Sequence, residues 1–322
     1  MLPARETVKI CFAHTAYQMK SCWDALDTGI AGFEVRDRAE FDRRAPDADV
    51  IVSSGMWHNG LIQLARKLSF VQSISSGTDQ YDKPALGAAG IRLASADGVN
   101  ARAVAEHAIG LILAMARRLP EARDNQAQRI WRGMIGDLSQ REDELSDKTL
   151  IVIGLGRIGG RLARLAKAFD MHVIAFRSKP ATGAGDADSV HALSALGEHL
   201  QKADFVALTC PLTPETRHVI DAAALGRMKK SSYLVNVARG GCVDEAALIA
   251  ALQSGAIVGA ALDCTDPEPP AAESPLWAMP NVLITPHTGG ETAQYEKNVN
   301  AILLDNLERL WRGEIMLRNQ VV

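Results

Sequence analysis

Short apolar runs alternate with longer segments of helical periodicity along most of the chain. Five such runs lie in the first hundred residues: VKICF (8–12), FEVRD (33–37), DVIVSS (49–54), FVQSISS (70–76) and IRLAS (91–95). Six more follow: LIVIG (150–154), HVIAF (172–176), DFVALTC (204–210), YLVNVA (233–238), VGAALD (258–263) and VLITP (282–286). Strands that alternate with helical patterns are typical of parallel sheets with crossover helices. The pattern therefore predicts an α/β protein with two doubly wound parallel sheets, the second large enough to bind a dinucleotide.

Two long helical patterns flank the second strand series. From about Asn100 to Leu119, apolar residues recur at helical spacing, and Pro120 is expected to end that helix. The helical pattern after Gly289 and Gly290 has no strand series of its own to cover. We therefore expect a discontinuous smaller domain, residues 1–99 plus 289–322, and a dinucleotide-binding domain, residues 100–288.

Composition excludes several classes of protein. The 322 residues are 47% hydrophobic and carry a net charge of only −3, which indicates neither a nucleic-acid nor an anionic-membrane partner. The first residues lack the apolar stretch of a signal peptide, and no run of about 18 apolar residues follows, so a cytoplasmic location is expected. The five cysteines are scattered and mostly inside apolar runs, which favours reduced core thiols over a metal or disulfide framework.

A glycine-rich turn opens the second strand series. Gly154, Gly156 and Gly159 have G-x-G-x-x-G spacing directly after a strand and before a helical pattern. The first glycine permits a tight turn, the second lets backbone approach a pyrophosphate, and the third lets helix and strand pack closely. The helix N-terminus then faces the phosphates, so this unit is predicted to bind a dinucleotide.

The next strand ends in basic residues where an acid would hold a ribose. VIAFRSKP (173–180) places Arg177, Ser178 and Lys179 at that position. A carboxylate would repel the 2′-phosphate of NADP, whereas a guanidinium can bind it. The stretch favours NADP(H), with NAD(H) possible if the basic loop is only solvated surface.

Four polar residues lie at or just beyond the ends of the last three strands: Arg239, Asp263, Glu268 and His287. An open α/β sheet binds its ligand at this edge. Arginine can bind a carboxylate in bidentate fashion, and histidine is the usual acid or base near neutral pH. Each residue alone has a structural alternative: a surface arginine, a capping aspartate, a loop glutamate or a core histidine.

Several motifs together identify a resemblance. NARAVAEHAIGLILAMAR, GLGRIG, CPLTPETRHVI, LVNVARGGCVDEAAL, GAALDCTDPEP and SPLWAMPNVLITPH look like the D-isomer-specific 2-hydroxyacid dehydrogenase family over nearly the whole chain. The resemblance implies a Rossmann NAD(P)-binding domain and a smaller flavodoxin-like substrate domain. It also implies that Arg239 binds the substrate carboxylate, that His287 is the acid/base, and that Glu268 keeps His287 charged and oriented.

The resemblance implies further contacts. Asp263 would lie near the nicotinamide amide, and the backbone amides of Ser76 and Gly77 would bind the substrate carboxylate. The full set of expected cofactor contacts, with no metal, is Gly154, Gly156, Arg157, Ile158, Gly159, Arg177, Ser178, Lys179, Cys210, Pro211, Thr216, Val237, Ala238, Asp263, His287 and Gly289.

The subtype remains open among several alternatives. The basic loop is similar to that of NADPH-dependent glyoxylate/hydroxypyruvate reductases, and we favour this subtype. Met56 and Trp57 could instead shape a pocket for a bulkier acid handled by an NAD-dependent enzyme, or they could be ordinary packing. Phosphite dehydrogenases and non-enzymatic corepressor-like proteins share these site residues. Trp131 lies in a region that forms an arm at the dimer interface in this family, so a homodimer through the nucleotide-binding domain is expected.

Overall fold

The computed structural model describes residues 2–322. Within them the strands are β1 Ile10–Ala13, β2 Gly32–Val35, β3 Val50–Ser53, β4 Phe70–Ser73, β5 Arg92–Ala94, β6 Thr149–Ile153, β7 His172–Phe176, β8 Ser189–His191, β9 Phe205–Leu208, β10 Tyr233–Asn236, β11 Gly259–Leu262 and β12 Val282–Ile284. The α-helices are α1 Met19–Asp24, α2 Arg38–Arg44, α3 Leu61–Leu64, α4 Lys83–Ala88, α5 Ala101–Ala116, α6 Leu119–Ala127, α7 Arg157–Lys167, α8 Leu196–His199, α9 Ala222–Leu225, α10 Glu245–Ser254 and α11 Tyr295–Trp311. The prediction of two parallel sheets with crossover helices is confirmed.

The first compact unit joins the residues up to Asn100 with those from Thr292 onward. Its five parallel strands have the order β2-β1-β3-β4-β5, which is the flavodoxin-like order. The strands β1, β3 and β4 are buried along their whole length, as expected where helices cover both faces. Helix α11 packs against α1 and contributes Val299, Ile302, Leu303 and Leu307 to the core of this unit.

The second compact unit runs from Ala101 to Glu291. Its seven parallel strands have the order β12-β11-β10-β9-β6-β7-β8, a doubly wound Rossmann sheet with one extra strand. The extra strand β8 was missed by the sequence pattern because it has only three residues, Ser-Val-His, and two of them are polar. The order reverses at β6, so the carboxyl ends of β6 and β9 form the switch point where such sheets bind nucleotides.

The long helix expected from about Asn100 to Leu119 is two helices. Helix α5 ends at Ala116, Arg118 adopts a left-handed conformation with φ of 49°, and α6 begins at Leu119. Pro120 lies in the first turn of α6, where a missing N–H disrupts no helical hydrogen bond. The proline therefore marks the start of a second helix as well as the end of the first.

None of the helices among residues 2–322 is both long and apolar enough to cross a membrane. All five cysteines are free thiols, and four of them are buried.

Candidate active site

The glycine turn joins β6 to α7 within the second unit. Gly154 has a φ of +103°, and a Cβ placed on it would lie 2.6 Å from the backbone of Cys210. A Cβ on Gly159 would meet the carbonyl oxygen of Gly154 and lie 2.7 Å from Thr209 Oγ1. By contrast, a Cβ on Gly156 would meet no atom within 4 Å. The outer glycines are thus required by packing, while space stays open beside the middle one, as a pyrophosphate needs.

Helix α7 begins beside that open space. Its N-cap is Gly156, which has no side chain to bond the first-turn amides. Those N–H groups and the helix dipole remain directed toward an anion. Arg157, Ile158 and Gly159 form the first turn.

Arg177 follows the last residue of β7, and its backbone N–H donates to the carbonyl of His191 at 3.1 Å. Its side chain is half-buried, whereas Ser178 and Lys179 are exposed. Among the described residues, no side chain or carbonyl bonds to the Arg177 guanidinium. Arg177 thus directly follows Phe176, whose carbonyl accepts from the Gly154 amide of the glycine turn at 2.8 Å.

The other residues expected near the cofactor follow two neighbouring strands. Cys210 and Pro211 come just after β9, and Val237 and Ala238 come just after β10. Thr216 Oγ1 donates to the carbonyl of Pro211 at 2.6 Å and accepts from the amide of Thr213 at 2.7 Å. The Thr216 side chain is therefore occupied in shaping this loop.

His287 and Glu268 form a hydrogen-bonded pair beyond β12 and β11. His287 Nδ1 lies 2.6 Å from Glu268 Oε1, and the two side chains are 43% and 42% exposed. Because Nδ1 is engaged, the other ring nitrogen, Nε2, is available to a ligand. The sequence named both residues without showing that they touch.

Arg239 follows β10 at the same edge of the sheet and is exposed. Its backbone carbonyl accepts from Asn236 Nδ2 at 3.0 Å, and its Nη1 donates to the carbonyl of Ala238 at 2.7 Å. Asn236 is 1% exposed and its Oδ1 also accepts from the Ala238 amide at 3.0 Å. Asn236 thus shapes the turn that presents Arg239, and sequence reasoning missed it because it stood inside an apolar strand.

Asp263 supports the loop that carries His287. Its Oδ1 accepts from Thr285 Oγ1 at 2.6 Å and from the Thr288 amide at 3.0 Å, while Oδ2 accepts from the Gly289 amide at 3.0 Å. Burial works to raise the pKa of Asp263, but hydrogen bonds from His107, Thr285 and Gly289 hold that pKa below its ordinary value. Sequence reasoning missed His107 and Thr285.

A cavity of about 480 Å³ lies beside the His287–Glu268 pair, within the second unit. Glu268 and His287 form part of its lining, and its apolar walls include Pro270, Trp277 and Ile284. Trp277 Nε1 donates to the carbonyl of Ala271 at 3.0 Å, which fixes the indole ring beside the loop that carries Glu268. The cavity thus offers apolar surface next to a hydrogen-bonded imidazole.

In the first unit, Ser76 and Gly77 are exposed just after β4. The neighbouring Ser75 hydroxyl contacts the Ser54 hydroxyl, which also accepts from Gln80 Nε2 at 2.9 Å. This network ties the loop after β4 to the loop after β3. The carboxyl edge of this sheet is therefore lined by hydroxyl and amide groups.

The two large residues of SSGMWHNG are core residues. Met56 and Trp57 are buried, and the Trp57 ring packs on Tyr81 with centroids 5.1 Å apart. Trp57 Nε1 donates to Asn59 Oδ1 at 3.0 Å. Of the two interpretations of these residues, the structure favours packing.

Among the described residues, no three His, Cys, Asp or Glu side chains cluster as a metal site.

Comparisons with known proteins agree with this arrangement. Residues 109–289 match the sequence model described as D-isomer specific 2-hydroxyacid dehydrogenase, NAD binding domain. The D-3-phosphoglycerate dehydrogenase of Methanocaldococcus jannaschii is 36% identical over 281 residues, which are 86% of this chain and 52% of that protein. The chain thus spans about half the length of that relative.

Two further proteins are similar over more of their length. The glyoxylate/hydroxypyruvate reductase B of Yersinia enterocolitica is 38% identical over 267 residues, which are 83% of this chain and 81% of that protein. A solved structure of a Thermus thermophilus protein has a TM-score of 0.79 and 31% identity, covering 98% of this chain and all of that one. The similarity therefore reaches well beyond the nucleotide-binding residues.

Proposed function

The chain belongs to the D-isomer-specific 2-hydroxyacid dehydrogenase family, and we propose that it is a glyoxylate/hydroxypyruvate-type 2-oxo acid reductase that prefers NADPH. The observation that carries the proposal is the His287–Glu268 hydrogen bond of 2.6 Å, formed at the sheet edge where Arg239 also lies. An acid/base pair beside a cation is the donor set that reduction of a 2-oxo acid requires.

In the reduction of a 2-oxo acid, His287, Glu268 and Arg239 have different roles. A nicotinamide cofactor, held through its phosphates at the glycine turn of Gly154, Gly156 and Gly159, would supply a hydride to the carbonyl carbon of the substrate. His287 Nε2 donates a proton to the carbonyl oxygen as that oxygen becomes a hydroxyl, and takes it back in the oxidative direction. Glu268 accepts from Nδ1 and so stabilises the imidazolium that donates. Arg239 binds the substrate carboxylate and stabilises negative charge on the reacting oxygen.

We propose that the backbone amides of Ser76 and Gly77 are neutral hydrogen-bond donors to the substrate carboxylate. The exposure of both loop residues and the Ser54–Ser75–Gln80 network that fixes their loop support this assignment. Donors held by such a network bind an anion with little reorganisation.

Arg177 supports the choice of NADPH. The guanidinium is half-buried at the end of β7 and, among the described residues, nothing in the protein pairs with it. The position that would carry an acid in an NAD-selective site carries a cation. The Ser178 hydroxyl and the Lys179 ammonium would complete the binding of the 2′-phosphate.

A small substrate is favoured by the first unit. The carboxyl edge of its sheet presents serine hydroxyls, while Met56 and Trp57 turn into the core. A dehydrogenase for a bulkier 2-oxo acid is the second candidate, because Trp277, Ile284 and Pro270 give the cavity beside His287 apolar walls.

Steady-state oxidation of NADPH and NADH with glyoxylate, hydroxypyruvate, pyruvate and phenylpyruvate tests the proposal. We expect the highest kcat/KM with NADPH and glyoxylate or hydroxypyruvate. A preference for phenylpyruvate would favour the second candidate. Absence of turnover with any 2-oxo acid would refute the reductase assignment, and phosphite oxidation or cofactor binding alone would then be the functions to measure.

A second copy of the chain is the partner that we propose for the segment after α6. Trp131 is 99% exposed, and Met134 and Leu138 are also exposed apolar side chains of this segment. Together with α6, the segment borders a groove of about 820 Å³. Contiguous exposed apolar surface of this kind is typical of an interface. The expected homodimer through the nucleotide-binding domain would bury it.

A further inference from the structure

A histidine of helix α5 completes the hydrogen-bonded support under the loop that carries His287. His107 Nε2 lies 2.9 Å from Thr285 Oγ1 and 3.4 Å from Asp263 Oδ1. Thr285 Oγ1 lies 2.6 Å from the same Asp263 oxygen. Asp263 is only 4% exposed, so these contacts replace the water that would otherwise surround its charge.

The direction of the protons in this cluster follows from the chemistry of a hydroxyl group. An ionised carboxylate can only accept, and the hydrogen bonds to Asp263 keep it ionised. Thr285 therefore donates its single proton to Asp263, and its lone pair must accept from His107. Hence His107 carries a proton on Nε2, and the imidazole acts as a donor to the threonine.

The same carboxylate holds the two residues that follow His287. The amides of Thr288 and Gly289 each donate to Asp263 at 3.0 Å. His287 itself has a φ of +54°, a left-handed conformation that favours glycine and that surrounding contacts must maintain. A Cβ on Gly289 would lie 2.7 Å from Asp263 Oδ2 and 3.1 Å from His107 Cδ2, so the loop packs directly on both side chains.

We propose that His107 is a positioning residue for the acid/base: through Thr285 and Asp263 it maintains the left-handed turn at His287 and thereby the direction of the catalytic imidazole. His107 touches neither His287 nor Glu268 through a hydrogen bond in the described structure, so its effect passes through the loop. The kinetic part of this inference depends on the proposed function, because it needs turnover of a 2-oxo acid.

The kinetic test compares His107→Ala, His107→Gln and a matched control, Glu106→Gln. Glu106 is the adjacent residue on α5, is exposed, and makes only a surface ion pair of 3.4 Å with Arg161. We expect His107→Ala to lower kcat on the order of tenfold, as for loss of one hydrogen bond that leaves its partner unsatisfied. The KM for the 2-oxo acid and the Kd for the cofactor should stay unchanged. His107→Gln keeps an N–H donor and should recover most of kcat.

The inference is overturned if the kcat of His107→Ala equals that of the wild type, if the kcat of His107→Gln is no higher than that of His107→Ala, or if only KM changes.

A second experiment, by NMR, does not depend on enzymatic activity. Long-range ¹H–¹⁵N spectra of the histidine side chains should show His107 protonated at Nε2, with the signal assigned by its loss in the conservative variant His107→Gln. In Thr285→Val that tautomer preference should weaken. A His107 deprotonated at Nε2 would overturn the inference even if the Ala variant failed to fold.

The two experiments separate the possible failures. A wild-type protein that shows the Nε2-protonated His107 but reduces no 2-oxo acid would refute the proposed function and leave the loop support intact. An active wild type whose His107 variants are unaffected would refute the positioning role alone.

Discussion

Replacing Arg177 by alanine measures what the basic end of β7 contributes to cofactor choice. The guanidinium is half-buried, and among the described residues nothing pairs with it, so no internal hydrogen bond is lost when it binds phosphate. A charge-assisted hydrogen bond stabilises by about 1.5–3 kcal/mol, and about 1.36 kcal/mol corresponds to a tenfold change. The Kd of NADPH should therefore rise by about 10- to 160-fold, while that of NADH should change less than about twofold.

Fluorescence titration of each reduced cofactor at two salt concentrations provides the assay. Salt screens the attraction between a guanidinium and a phosphate, so the NADPH affinity of the wild type should fall more with salt than that of Arg177→Ala. Arg164→Ala is the matched control, because Arg164 is an exposed arginine in the last turn of α7. This control removes the same net charge, but from the C-terminal end of α7, away from the glycine turn.

The charge reversal Arg177→Asp sharpens the test. A carboxylate at this position repels the 2′-phosphate and can accept from the ribose 2′-hydroxyl of NADH. Arg177→Asp should therefore bind NADH more tightly than NADPH, whereas Arg177→Ala should only lose the preference for NADPH. Equal losses of NADH and NADPH affinity in Arg177→Ala would refute the reasoning, because they would assign Arg177 to the common part of the cofactor.

Four further outcomes are expected. His287→Ala should lower kcat by at least about 100-fold, the low end of what general acid catalysis contributes, with little change in cofactor Kd by titration. Glu268→Gln should lower turnover without lowering Tm, whereas Asp263→Asn should lower both turnover and Tm. An equal change in Tm in the two variants, measured by thermal denaturation, would contradict their separate roles. Trp131→Glu should shift sedimentation velocity profiles toward monomer, and an unchanged profile would exclude the arm from the interface. Burial, followed by the nearby Arg36 charge, lowers the pKa of His14, whose Nδ1 accepts two backbone amides. The unfolded chain then binds more protons, so the free energy of unfolding should fall as pH drops below about 6.5, and this slope should be smaller in His14→Asn.

Local patterns predicted most of the fold. Most strands of both sheets, though not β8, are short apolar runs bounded by polar residues, and parallel sheets covered on both faces require such runs. The glycine turn was also predictable from a local pattern. Close packing of a helix on a strand requires glycine at Gly154 and Gly159, so the spacing of these residues indicates the turn. Arg177 was found because its position is counted directly from that turn.

Residues that act through distant contacts were not predictable. His107 and Thr285 are 178 positions apart, and nothing in either segment indicates that α5 packs beside the loop after β12. The split between α5 and α6 was also missed, because a proline ends one helix and is tolerated in the first turn of another. Met56 and Trp57 could be assigned to the core only once their packing against Tyr81 was seen.

Burial distinguishes the two acidic residues expected at the site, Asp263 and Glu268. Asp263 is 4% exposed and accepts from Thr285, Thr288 and Gly289, so its charge is fully committed to holding a backbone turn. The Glu268–His287 pair is more than two-fifths exposed on both sides, and exposed ion pairs contribute little to stability. Stability therefore accounts for a carboxylate at Asp263 but gives no reason for a 2.6 Å pair held open to solvent at Glu268. On that ground we assign the proposed acid/base role to the exposed pair and the proposed supporting role to the buried carboxylate.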